Sequence, residues 1–78
     1  MPTVLLIRYV RVVIYPNDHA PPHVHAVQGN EARAKFHLNC PQGPVEQIGF
    51  RLGEAREILA AIAENLPDIC ARWRAIHG

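Results

Sequence analysis

The stretch Tyr15–Gly29, YPNDHAPPHVHAVQG, carries three of the chain's five histidines, His19, His23 and His25, beside the carboxylate of Asp18. In a strand, residues two apart project from one face, ~6.5–7 Å apart along the chain. Imidazoles at His23 and His25 can therefore converge on one ion or flank one substrate atom. Pro21 and Pro22 stiffen the approach, which lowers the entropic cost of presenting His19 as a third side chain. Neutral imidazoles with a carboxylate suit Zn or another borderline divalent ion, so Asp18, His19, His23 and His25 are the candidate metal ligands. A second chemistry uses His23 and His25 as general acid and base, with Lys35 or Arg33 holding a phosphate. Histidine's ordinary pKa of ~6.5 serves either role. A third reading is structural: Asp18 and His19 bond the loop backbone, and the strand histidines are solvated.

The elements must place these groups. Residues 3–15 are rich in Val, Ile, Leu and Tyr and too long for one ordinary strand, so a hairpin turning near Arg8-Tyr9 is expected. PNDHAPP then reads as a loop, and residues 23–28 and 32–38 as two strands around GNE. Strand parity decides where the histidines face. Ala34, Phe36 and Leu38 share the apolar face that must meet the helices, while Lys35 and His37 share the other. An odd hairpin loop pairs Val24 with Phe36 and Ala26 with Ala34. It sets His25 opposite Lys35 and His23 opposite His37, away from the helices. A two-residue loop flips every assignment and buries both imidazoles. The odd loop is the expectation.

After CPQGP, apolar residues recur at Ala55, Ile58, Leu59, Ile62, Leu66, Ile69, Cys70, Trp73 and Ile76, a helical stripe. A straight helix over 53–76 would run ~36 Å, against a radius of gyration of ~11–12 Å for a domain of this size. Pro67 resolves the mismatch by breaking the bond to Ala63, with Asn65 placed to cap the second piece. Trp73 reads as core, His37 as a surface strand residue and His77 as a charge near a helix end.

The whole is one domain of 78 residues, 49% hydrophobic, with a net charge of +1 that argues against strong steering toward nucleic acid. A core this small leaves room for a stabilising partner, a second copy of the chain among them, or a bound metal. VLLIRYVRVVIY is broken by Arg8 and Arg11 and is neither a membrane span nor a signal peptide. The chain therefore reads as cytoplasmic, with Cys40 and Cys70 kept as thiols.

MPTVL, YPNDHAPPHVH, AKFHL, the GF at 49–50, EAREI and the region of Trp73 resemble a small bacterial family, domain-of-unknown-function family 4160. The resemblance runs over essentially the whole chain. It implies a stand-alone protein acting with a second small protein encoded nearby, in a toxin–antitoxin-like arrangement, and it brings no catalytic residues. The chain departs from the family pattern at Arg8-Tyr9, usually Gly-Gly, at His37, at Arg51, where a capping Ser or Thr is usual, and at Pro67.

Together these readings predict an α+β fold: three to four antiparallel strands over about 3–38, and a kinked helix or two helices over about 52–76 on one face. The functional expectation is one partner of a two-protein module. Its His23, His25 and Lys35 would be catalytic, in RNA cleavage for example, or its Asp18, His19, His23 and His25 would hold a metal such as Zn. The alternative is a non-enzymatic binding or regulatory module with a structural His/Pro loop.

Overall fold

Val, Ile, Leu and Tyr, types that suit a pleated and half-buried surface, dominate the opening residues and lay down the first half of the chain as a sheet. A computed structural model describes residues 3–29, 31–40, 43–48 and 55–77. The strands are β1 (Thr3–Ile7), β2 (Val10–Val13), β3 (His23–Gln28), β4 (Glu31–Leu38) and β5 (Val45–Ile48). They form one antiparallel sheet in the order of the sequence. The fold class is α+β as expected, but with five strands instead of three to four. The missed strand, β5, has only four residues, VEQI, and follows the Pro/Gly-rich connection that reads as loop.

The first hairpin turns at Arg8-Tyr9, since Ile7 pairs with Val10. Arg8 takes the left-handed conformation at φ 54°, where a residue with a Cβ is disfavoured by ~1–2 kcal/mol. Its guanidinium pairs with Glu57 at 3.2 Å across a solvated gap, a contact that contributes little.

In the β3–β4 hairpin Val24 pairs with Phe36, Ala26 with Ala34, His25 with Lys35 and His23 with His37. That is the expected register, reached by a different route. Gln28 pairs directly with Glu31, which alone would give the flipped parity, and a bulge between Ala26 and Val27 then restores it. One extra residue on a strand reverses the facing of everything beyond it. The bulge therefore does what the odd loop was expected to do.

The second half forms α1 (Ala55–Glu64) and α2 (Leu66–His77). The break falls at Asn65, as Pro67 requires. Asn65 acts on the other piece than expected: its side-chain amide donates to Ala61 O at 2.8 Å, closing the end of α1. Its own carbonyl accepts from Ile69 N–H and starts α2. Ile58 and Ile62 of α1 and Leu66, Ile69, Cys70 and Trp73 of α2 are buried against Val12, Ile14, Val24, Ala26, Phe36 and Leu38 of the sheet side. The radius of gyration is 11.1 Å, as the split helix allows. The expected helix start at 52–54, the capping position of Arg51, the GF at 49–50 and the side chains of Arg33 and Ala55 lie outside the described residues.

Cys40, just past β4, and Cys70, on α2, form a disulfide with Cα atoms 5.8 Å apart. This corrects the expectation of free thiols. The pair is 30 residues apart and has no recognisable spacing motif. Only the packing of α2 beside the end of β4 brings the two sulfurs together.

Candidate metal centre

Asp18 is delivered by a turn. Its N–H donates to Tyr15 O at 3.0 Å, and the sequence Pro16-Asn17 inside suits a reverse turn. The chain then passes Pro21 and Pro22 and enters β3, where Leu38 N–H donates to Pro22 O at 3.0 Å and fixes the start of the strand. His23 and His25 project from the face opposite Val24 and Ala26.

His23 is anchored through one ring nitrogen. Its Nδ1 lies 2.9 Å from Pro21 O. A carbonyl only accepts, so Nδ1 carries the proton and the Nε2 lone pair is free in the neutral ring. That Nε2 stands 3.0 Å from Asp18 Oδ2. His25 Nε2 lies 3.3 Å from the same oxygen, within ion-pair distance but off the hydrogen-bond direction. Asp18 Oδ2 and both ring nitrogens of His25 are buried without a hydrogen-bond partner. Burial lowers the pKa of His25 below 6.5; Asp18 opposes this, and His23 and Lys35 add to it. His25 is therefore a neutral imidazole near neutral pH, and Tyr15 and His23 pack edge-on against it at 4.8 and 5.2 Å.

Two expectations need correction. His19 is exposed and stands outside the group formed by Asp18, His23 and His25, whose ligand atoms all lie within 4.8 Å of one another. His23, expected to lie off the core, is only 7% exposed, and its ring sits 5.3 Å from that of Trp73. The register does place it on the expected side of the sheet. Being at the strand's end, it also meets the helix layer.

Beside the group opens a cleft of about 330 Å³ lined by Asp18, His19, His23, Lys35, His37 and Ile48, among others. Lys35 and His37 thus face the site, His37 as more than the plain surface residue expected. Sequence reasoning missed the packing of Trp73, which joins the site to α2, and of His77, which stacks on Trp73 at 3.8 Å and bonds Trp73 O at 3.1 Å through Nδ1. The signal was the four-residue spacing of Trp73 and His77 on one helix face.

A family profile described as Domain of unknown function (DUF4160) matches residues 10–74. The chain belongs to this family. The DUF4160 match takes in Asp18, His19, His23, His25, Lys35 and both cysteines; β1 precedes it and His77 follows it. No curated protein and no solved structure matches the chain.

Proposed function

We propose that Asp18, His23 and His25 hold one divalent transition metal ion, Zn by the chemistry of the donor set, and that the chain uses it for hydrolysis. The observation that carries the reading is the convergence of an unpartnered carboxylate oxygen with two imidazole nitrogens. A carboxylate 3.0 Å from a lone pair needs a cation between them, either a proton or a metal. Tetrahedral bonds of ~2.0–2.1 Å set ligand atoms ~3.3–3.4 Å apart; the two contacts to Asp18, 3.0 and 3.3 Å, lie near this, and the group as a whole, within 4.8 Å, would draw in around an ion. The Nδ1–H of His23 bonded to a backbone carbonyl is the usual outer support of a metal-bound imidazole.

A metal held by Asp18, His23 and His25 would supply an activated water for hydrolysis. The cleft with Lys35 and His37 supplies a cation for an anionic substrate, and a phosphodiester such as RNA suits it. Lys35 then binds the substrate, whereas His25 acts as ligand in place of general base. The family resemblance supports action as one half of a bacterial two-protein module, beside a small partner protein.

The test is thermal denaturation with Zn, Ni, Mn and Co near neutral pH. An ion at a hundredfold excess over its dissociation constant stabilises the native state by ~2.7 kcal/mol, a rise of roughly 10–20 °C for a domain this small. Asp18→Asn and His25→Gln should each remove most of the rise. His23→Ala is the weaker test, because His23 also packs on Trp73. No shift with any of the four ions overturns the reading.

A further inference from the structure

The Asp18–Ala20 loop has a second side. There it walls a larger cleft of about 470 Å³, lined also by Pro22, Cys40, Cys70 and Trp73. Both cysteines line this cleft, and Cys40 is the half-buried one of the pair while Cys70 is buried, which makes Cys40 the side from which a thiolate would approach. Arg74 borders the same cleft one helical turn beyond Cys70.

Both arms of the bond lead to the metal ligands. On one arm, Cys40 follows Leu38 by two residues, and Leu38 N–H holds Pro22 O immediately before His23. On the other, Cys70 lies one turn before Trp73, whose ring packs on His23 at 5.3 Å.

We propose that Cys40–Cys70 is a thiol-exchange site for a dithiol reductant and that its oxidation state sets the affinity of the Asp18–His23–His25 centre for metal. The second half of this rests on the metal reading above. A thiolate of the dithiol attacks Cys40 Sγ, forming a mixed disulfide while the Cys40–Cys70 bond breaks and its electron pair leaves on Cys70 Sγ. The second thiolate of the dithiol then attacks its own sulfur in the mixed disulfide and releases Cys40 Sγ. The protein gains two electrons and two protons, and the dithiol becomes a disulfide. With α2 no longer tied to the end of β4, Trp73 ceases to clamp His23.

Three measurements test this. Dithiothreitol is added to the native protein without denaturant, and alkylation of Cys40 and Cys70 is followed by mass. The rate should rise in proportion to dithiothreitol. A rate independent of it would mean that reduction waits for unfolding, which overturns the exchange site. Next, the Trp73 indole and His23 ring resonances are compared, without metal, between disulfide-bonded protein and Cys40→Ser/Cys70→Ser. Both should move while the other core signals persist. Unchanged signals overturn the coupling. Should the variant not fold, the dithiol-reduced protein takes its place, and global unfolding of that too marks the bond as a structural staple and overturns the switch. Finally, Zn affinity should fall at least fivefold in the folded variant, the lower end of ordinary coupling between sites. Equal affinity overturns the link. Absence of Zn binding by the disulfide-bonded protein itself overturns the metal reading, and leaves the first two measurements to judge the exchange site.

Discussion

His25 and His23 carry neighbouring imidazoles with different duties. Desolvation holds His25 neutral in the fold, so its folded pKa lies below 6.5. The sign of the consequence follows by linkage. Below pH 6.5 the unfolded chain takes up a proton that the folded chain refuses, so stability is full above that pH and is lost as pH falls toward the lower folded value. Melting temperatures of metal-free protein between pH 7.5 and 5.5 should decline, and His25→Gln should decline less steeply. If the group holds a metal as proposed, its affinity should fall over the same range, because only deprotonated imidazoles are ligands. His23 is instead a packing residue. Removing it leaves Pro21 O without its donor and a gap beside Trp73. His23→Ala should therefore cost ~1–3 kcal/mol even without metal, read as a lower urea midpoint.

At the scale of elements, the strands were legible where alternation is strong. Val24, Ala26, Ala34 and Phe36 announce the covered face, and their pairing follows. The device that secures this pairing was not legible, because a bulge beside Val27 leaves no mark on the pattern of apolar residues. Of the four candidate ligands read from spacing, Asp18, His23 and His25 come together, and His19 stays exposed outside them. The helix break was legible through Pro67, yet Asn65 served the end of α1 because its amide donates to Ala61 O. Asn65→Ala should destabilise by ~1 kcal/mol. A urea midpoint shift with unchanged slope would show this, and no shift would remove the cap from the account.

For the whole molecule, the disulfide is the largest departure from what the sequence offered. A crosslink closing a loop of 30 residues stabilises by ~3–4 kcal/mol in the chain-entropy account. For so small a core, Cys70→Ser should lower the melting temperature by more than 10 °C. A change of only a few degrees would mean the native packing alone holds α2 in place. The expectation of a cytoplasmic chain drew on cysteines kept as thiols, and the disulfide removes that support. No helix among the described residues is long and apolar enough to cross a membrane.

The order of the strands has one more consequence. Each strand pairs with the one made just before it, so the sheet can grow in the direction of synthesis, every new strand finding its edge already in place. Asp18, His23 and His25 all belong to the early part of that growth. Asp18, His23 and His25 thus precede α2 in the order of synthesis, and α2, which carries Cys70 and Trp73, packs on a sheet whose five strands are all made before it.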